Sequence, residues 1–420
     1  MTRAEQDCRI KIMDREGKKY RILFLSVTLA AGGEQKQLAQ VLQNLDRQCY
    51  EPIVCCIRPL KQLDEDIRRL GVPIVSLGIK NHWNLLRVIR EIRRVIHLNN
   101  VDLIHLGIFG SDFQGLLAAI SVGRPAVAIL QSMFDLSARA RVDKSNGLAW
   151  RFKWRILYAV HAILARMPKI HYVALSESVK QSTIRELHLP AKRITVVPLG
   201  IIPEKFNAKR FPEAVVQTKS GLKLDEAYPI LLNVARLSAV KGQKDLLETM
   251  PQILGHFPGA RLLIAGDGPL LKELEQRRDH LNLQKTVLLL GERSDVPVLL
   301  GLSDIFVFSS YFEGLPGAVI EAMAAGKPVV AFDIPSVREL VEDGSTGILV
   351  GERNIASFAE SVVQLARSPE TTRKMGERAW QNVQIKYDIN QNIKGLEAVF
   401  ERMLVRPSAR NEKSGRLSDA

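Results

Sequence analysis

Cysteine is scarce in this 420-residue sequence, with four in all, and none of Cys8, Cys49, Cys55 and Cys56 stands in a C-x-x-C pair with a matching His or Cys set. A zinc site and a disulfide-stapled scaffold therefore find no support. Cys55 and Cys56 fall in an expected strand, where neighbouring side chains point to opposite faces, and buried thiols are expected there. Long apolar runs are also missing: the strongest, such as 157–165, stop well short of the roughly 20 residues that a membrane-spanning helix needs. The first twenty residues mix Arg3, Arg9, Lys11 and Lys18 with Glu5, Asp7, Asp14 and Glu16 and hold no apolar signal-peptide core, which leads to the expectation of a cytoplasmic protein. Glycine (28) and proline (19) are present in ordinary numbers, so collagen-like and low-complexity readings fall away, and no short-period repeat points to a solenoid.

What is present is ordinary globular material, 46% hydrophobic and 25% charged, in a chain too long for one core and suited to two domains. Its formal charge of +14 is unevenly placed. Residues 1–210 carry 34 Lys and Arg against 18 Asp and Glu, and the remainder carries 25 against 27. A basic first half beside a nearly neutral second half suits two jobs, the first facing an anionic membrane surface, nucleic acid or a phosphorylated acceptor, or else a merely solvated face.

Strand-like and helix-like runs alternate throughout, the pattern of parallel α/β sheets. Strands are expected at 20–27, 52–57, 73–76, 101–105, 126–130, 171–175 and 194–197, with helices between them such as 34–45 and 83–96. In the latter, Leu85, Leu86, Ile89, Ile92 and Ile96 recur at helical spacing while Arg87, Arg90, Arg93 and Arg94 take other faces. The second half repeats the scheme with strands at 229–234, 261–265, 287–290, 305–308, 328–332 and 347–350. The organisation read from this is a leader (1–19), a first Rossmann-like domain (20–200), an irregular linker (201–227) containing Pro203, Pro212 and Gly221, a second Rossmann-like domain (228–385), a C-terminal helix (386–405) that could pack back on the first domain, and a mobile tail (406–420). Two doubly wound domains joined this way place a cleft between the carboxyl ends of two sheets.

The strongest local signal is Glu313-Gly314-Leu315-Pro316-Gly317-Ala-Val-Ile-Glu321, which follows a buried strand and leads into an apolar helix. Pro316 suits a first helical turn, where its missing N–H has no partner to lose, and the free amides of Gly317 and its neighbours would favour an anion. Glu321 lies about one turn on, roughly 6 Å along the axis. Carboxylates above and below such an amide cup can accept hydrogen bonds from sugar hydroxyls at either end of a diphosphate; two isolated glutamates would more often be plain surface residues. A second signal, Asn233-Val-Ala-Arg236-Leu-Ser-Ala-Val-Lys241-Gly242, lies at the carboxyl end of the second domain's first strand. Arg236 offers a planar fork and Lys241 a point charge for two linked phosphates, or both solvate a loop. Ala265-Gly266-Asp-Gly-Pro269 is a tight strand-to-helix turn, with Pro269 expected to open the helix, and it lacks the full G-x-G-x-x-G spacing. Gly32-Gly33 after the first strand could let backbone approach a phosphate, or make a plain turn.

Together these pieces resemble the retaining glycosyltransferases of family four, the glycosyl transferases group 1, which have the two-Rossmann GT-B fold. The resemblance runs from Ile22 to about Leu404 through Gly32-Gly33-Glu34, Asp102-Leu-Ile-His105, Ala174-Leu-Ser176-Glu177, Pro198-Leu-Gly200, Arg236 with Lys241, Gly266-Asp-Gly-Pro269 and the Glu-x7-Glu element at Glu313 and Glu321. It implies metal-independent transfer of a sugar from a nucleotide diphosphate sugar, with retention at the anomeric carbon, to a lipid-linked or polysaccharide acceptor in surface polysaccharide or glycolipid assembly. No cofactor beyond that donor substrate is implied. By the same resemblance Arg236 and Lys241 bind the diphosphate and neutralise leaving-group charge, Glu321 holds ribose hydroxyls, Glu313 holds donor-sugar hydroxyls, and the amides from Gly314 to Gly317 assist both. The Gly32-Gly33 loop closes over the phosphates, and backbone near Gly291–Arg293 meets the base. The acceptor side falls to His105 and Gln131. Three departures mark it: Gln131 or Ser132 where many relatives have His, Gly107 where a second His is common, and Leu199-Gly200-Ile201-Ile202 in place of Asn-Gly-x-Asp.

The stretch 139–169 has eight Lys or Arg against one acid, Asp143, with Trp150, Phe152, Trp154 and Tyr158 interleaved. Such a helix can rest on an anionic bilayer, making the enzyme peripheral on the cytoplasmic membrane face, or it can be a core helix with a basic side. Nucleic acid is the weaker partner, since no RNA-binding signature accompanies the stretch. Two rival functions stay open: a degenerate sugar-nucleotide-binding partner subunit without turnover, and a nucleotide-sugar epimerase on the same fold.

Overall fold

Two parallel sheets, each wound on both faces by helices, make up the computed structural model, which describes residues 19–29, 33–60, 65–81, 84–107, 112–131, 162–164, 166–207 and 210–405. The leader up to residue 18, Gly32, all of 132–161 and the tail from 406 lie outside them. In the first sheet β1 (Tyr20–Ser26), β2 (Tyr50–Cys56), β3 (Ile74–Ser76), β4 (Leu103–Leu106), β5 (Ala126–Leu130), β6 (Ile170–Ala174) and β7 (Ile194–Val196) run in the order β3-β2-β1-β4-β5-β6-β7. In the second, β8 (Ile230–Val234), β9 (Arg261–Ala265), β10 (Val287–Gly291), β11 (Ile305–Phe308), β12 (Val329–Phe332) and β13 (Gly347–Val350) run β10-β9-β8-β11-β12-β13. The strands are short and nearly all apolar because both faces are covered. Strand order reverses beside β1 and beside β8, and at such switch points open α/β sheets bind ligands.

The first-domain helices begin with α1 (Gly33–Asn44), α2 (Glu65–Arg69), α3 (Leu85–Leu98), α4 (Asp112–Val122) and α5 (Glu177–Leu187). Helix α3 shows how pattern becomes packing. Val88, Ile92, Val95 and Ile96 are buried, and the Asn84 side chain caps the start by accepting from Arg87 N–H at 3.4 Å. Cys55 and Cys56 are buried on β2 without a disulfide, and burial pushes both thiols up in pKa.

The stretch 201–227 is not an irregular linker. It holds a 3-10 turn at Pro203–Phe206 and α6 (Pro212–Gly221), which packs on α9 (Val296–Leu302) of the second domain. The Pro and Gly that read as loop punctuation are the start and stop of a helix, the asymmetry expected of those two residues. Leu224 is buried behind it, with Val215 and Leu222 against the same core. The remaining helices are α7 (Gln243–His256), α8 (Leu271–His280), α10 (Gly317–Ala324), α11 (Pro335–Arg338), α12 (Ile355–Arg367), α13 (Pro369–Lys386) and α14 (Ile389–Leu404).

The chain crosses between domains twice, and the crossings are tied: Ile201 N–H donates to Tyr387 O and Ile389 N–H to Ile201 O, both at 2.9 Å. After the second crossing α14 lies on the first domain against α1, β4 and β5. Phe400, with none of its surface exposed, meets Tyr50, His105 and Phe24 with ring centroids 5.9, 6.0 and 6.5 Å away. Glu397 accepts from Asp46 N–H at 2.8 Å. Phe400→Ala should therefore cost about 3–5 kcal/mol of stability, read as a lowered denaturation midpoint; a midpoint within error of the parent would show that α14 does not hold the first domain.

Candidate active site

The second-domain site is built from loops at the carboxyl ends of β8, β9, β10 and β11. The loop after β8 carries Arg236 and Lys241. Its backbone is fixed at both: Gln243 donates through Nε2 to Arg236 O at 3.1 Å, and Ser309 donates through Oγ to Lys241 O at 2.9 Å. Tyr311 N–H reaches Val240 O at 2.9 Å, and its hydroxyl donates to Asp245 at 2.7 Å. Gly242, at φ 64°, lies so close to Ser309 that a Cβ would sit 2.1 Å from that carbonyl oxygen. In the loop after β9, Gly266 at φ 147° and Gly268 pass equally close to Ala235 and Leu237. Pro269 stands two residues ahead of α8 rather than opening it.

The charged groups are held differently from one another. Lys241 Nζ is ion-paired with Glu313 Oε1. Arg293 grips Asp295 with two bonds of 2.8 and 2.6 Å. The Arg236 guanidinium makes no hydrogen bond or ion pair among the described residues. Pro316 occupies the cap of α10, and the backbone N–H groups of Gly314, Leu315, Gly317 and Ala318 have no hydrogen-bond partner among the described residues, leaving the positive end of a helix open. One turn on, burial pushes the Glu321 carboxyl up to about 7, opposed by the positive charge of Lys36 from the first domain.

Arg236, Gly266, Arg293, Gly317 and Glu321 line one interdomain cleft of about 1080 Å³, whose opposite wall includes Lys36, Gln37 and Gln40 of α1 and Leu199. Lys241, Glu313, Gly314, Leu315 and Pro316 form the adjoining loop pair. Gly33 begins α1 and is not among the described residues that line the cleft. His105 and Gln131 are elsewhere, in a small, mainly apolar cavity of about 90 Å³ beneath α1 and α14 that meets the cleft at Gln37, Gln40 and Leu199. His105 is buried between Phe24 and Phe400, and desolvation lowers its pKa to about 4, so it is a neutral imidazole at physiological pH. Gln131 donates to Gly107 O at 2.6 Å.

Sequence reasoning missed Lys36, which opposes Glu321 across the cleft, and gave no role to Ser176, whose hydroxyl donates to Gly314 O at 2.8 Å. A serine before a helical run is a capping signal. Its partner 138 residues away carries no such signal. Among the described residues no group of three or more His, Cys, Asp or Glu side chains is placed to hold a metal ion, and no helix is long and apolar enough to cross a membrane. The chemistry available is anion binding by a free guanidinium, a lysine and open amides, with carboxylates at both ends to receive hydroxyls.

The chain has known relatives. Residues 31–205 match the family described as Glycosyltransferase Family 4, and residues 217–382 match Glycosyl transferases group 1. It is 26% identical over 353 residues, 83% of this chain and 88% of the other, to an Escherichia coli UDP-Gal:alpha-D-GlcNAc-diphosphoundecaprenol alpha-1,3-galactosyltransferase. To an alpha-D-kanosaminyltransferase of Streptomyces kanamyceticus it is 28% identical over 361 residues, 83% of this chain and 91% of that one. In fold it resembles the Anabaena protein HepE in complex with UDP, at a TM-score of 0.76 and 21% identity over 91% of this chain and 100% of that chain.

A carboxyl with a raised pKa in the folded state takes up a proton on folding, so Glu321 costs little near its ordinary value of 4.5 and destabilises progressively as pH climbs through about 7. Glu321→Gln should melt near the parent at pH 4.5 and above it at pH 8 in paired thermal scans. An offset equal at both pH values would contradict the burial of this carboxyl.

Proposed function

Because the two matches, one on each domain, together cover most of the chain, it belongs to the group 1 glycosyl transferases of glycosyltransferase family 4, and we propose that it transfers a sugar with retention from a nucleotide diphosphate sugar to a lipid-linked or saccharide acceptor. The observation that carries this reading is the convergence, on one interdomain cleft, of the free Arg236 guanidinium, the open amides of α10 and Glu321. A nucleoside diphosphate leaving group builds negative charge as the anomeric C–O bond breaks, and preorganised cations and amides stabilise that charge where it develops. Arg236 and Lys241 take this role, which a metal ion fills in other transferases. Glu313 receives donor-sugar hydroxyls and Glu321 the ribose hydroxyls. The acceptor hydroxyl attacks from the face the phosphate leaves; its oxygen bonds the anomeric carbon and its proton passes to the departing phosphate oxygen.

Two features bear on the acceptor, one of a relative and one of this chain. The E. coli protein is named for a diphosphoundecaprenol acceptor, and the first half of this chain is strongly basic. The stretch 139–169 lies almost entirely outside the described residues, but α3 presents Arg87, Arg90, Arg93 and Arg94 outward, and Leu86 and Leu98 at its ends are 86% and 71% exposed. Basic side chains flanked by apolar ones suit the surface of an anionic bilayer, and we take this face as membrane-apposed.

Arg236→Ala should weaken UDP, GDP or ADP binding, whichever the parent binds, by about 10- to 100-fold, since one charge-assisted hydrogen bond contributes about 1.5–3 kcal/mol. Calorimetry reads this directly; unchanged affinity would remove the diphosphate assignment, and a parent that binds none of the three would overturn the nucleotide-sugar reading. Separately, Arg87→Glu with Arg93→Glu should lower sedimentation with phosphatidylglycerol vesicles and leave nucleotide affinity intact. Equal sedimentation of variant and parent would return α3 to a solvated face.

A further inference from the structure

The loop that presents the open amides is not held by its own domain alone. Ser176, 1% exposed, stands at the cap of α5 in the first domain. Its oxygen accepts from Val179 N–H at 3.1 Å, and its single hydroxyl proton is donated across the domain boundary to Gly314 O at 2.8 Å. Its one proton is committed to Gly314 O, which fixes the orientation of the hydroxyl. The reciprocal contact comes from the second domain. Glu339, next after α11, accepts from Glu177 N–H at 2.8 Å through Oε2, from Ser178 N–H at 2.7 Å through Oε1, and from the Ser178 hydroxyl. A carboxylate on a helix N-terminus is favoured by the amides and the dipole alike. Tyr387, at the second crossing, donates to Glu339 O at 3.3 Å, which anchors the carboxylate's own backbone to the hinge.

We propose that Ser176 is a positioning residue for the donor: by fixing Gly314 O it sets the plane of the Gly314–Leu315 peptide and aims Leu315 N–H, while Glu339 keeps Ser176 in register. The carbonyl and N–H of a trans peptide point in opposite directions, so a carbonyl committed to Ser176 turns the Leu315 N–H away from α5. That N–H has no partner among the described residues. Mere adhesion between the domains would not require a hydroxyl on this carbonyl, because the Glu339 contacts already join α5 to the second domain. The inference rests on the diphosphate reading of the site and assigns a first-domain side chain to the shaping of a second-domain loop.

The test uses the full chain and calorimetric titration with UDP, or with GDP or ADP if the parent prefers them, beside thermal midpoints. Ser176→Ala should weaken the nucleoside diphosphate about tenfold, equivalent to about 1.4 kcal/mol. Ser176→Thr, which keeps the hydroxyl, should restore affinity to within about twofold, and Glu339→Gln should give an intermediate loss. Ser176→Ala binding as well as the parent, or a loss that Ser176→Thr shares in full, overturns the assignment while leaving the donor site standing. A parent that binds no nucleoside diphosphate overturns both.

Discussion

Backbone lies against backbone where the loops that border the cleft leave the second sheet, and this lack of room governs the site. A Cβ at Gly242 would lie 2.1 Å from Ser309 O, one at Gly266 2.0 Å from Ala235 O, and one at Gly268 2.3 Å from Leu237 O. The loops after β8, β9 and β11 thus lock together at three glycines, with no side-chain rotamer involved in the lock. Arg236 and Lys241 project from the locked segment between them. Preorganisation of charge, which makes electrostatic stabilisation effective, is here a property of the main chain. Tyr311, with its N–H on Val240 and its hydroxyl on Asp245, extends the same restraint into the first turn of α7.

A cleft between domains is useful only if its walls keep a definite relation, and three kinds of contact maintain it. The crossings at Ile201 and Tyr387–Ile389 are paired like adjacent strands. Helix α14 returns to the first domain and is fastened near its end by Arg402, which donates to His171 Nε2 at 2.5 Å and Thr195 Oγ1 at 3.0 Å. Burial first, then the charges of Arg402 and Arg193, lower the His171 pKa to about 4, so the ring stays a neutral acceptor through the physiological range. Ser176 and Glu339 make the third contact, and of the three it alone touches the Gly314 loop.

The periodicities foretold the sheets well because doubly covered strands must be apolar and the crossovers between them must be helical. They failed at 201–227, where Pro212 and Gly221 look the same whether they bound a loop or a short helix; packing of Val215 and Leu222 decides, and that depends on a partner 80 residues on. Arg236, Glu313 and Glu321 could be singled out because a glycine-rich turn and a fixed spacing accompany them. The Lys241–Glu313 pair could not, since 72 residues separate its members. His105 stood out in the sequence because it completes the Asp102-Leu-Ile-His105 stretch on which the family resemblance partly rests. Its surroundings, Phe24 before it and Phe400 from the far end of the chain, make it a buried neutral ring, which no local pattern encodes.

The pairing of charges bears on how such a site can favour departure of a diphosphate over mere binding of it. Lys241 is already neutralised by Glu313, and Arg293 by Asp295, so neither presents a full positive charge to an arriving anion. Arg236 and the α10 amides do. A cleft with every cation free would bind donor and product alike and gain nothing at the transition state. On the proposed reading Lys241 changes partner as sugar hydroxyls engage Glu313, so its charge becomes available when the donor sugar is seated and the leaving oxygen begins to carry charge. Interactions that strengthen along the reaction raise turnover, whereas those made in full on binding do not. On that same proposed reading the ion pair beside the amide cup is a reserve of positive charge, and the glycine lock keeps the backbone of both its members in place for the exchange.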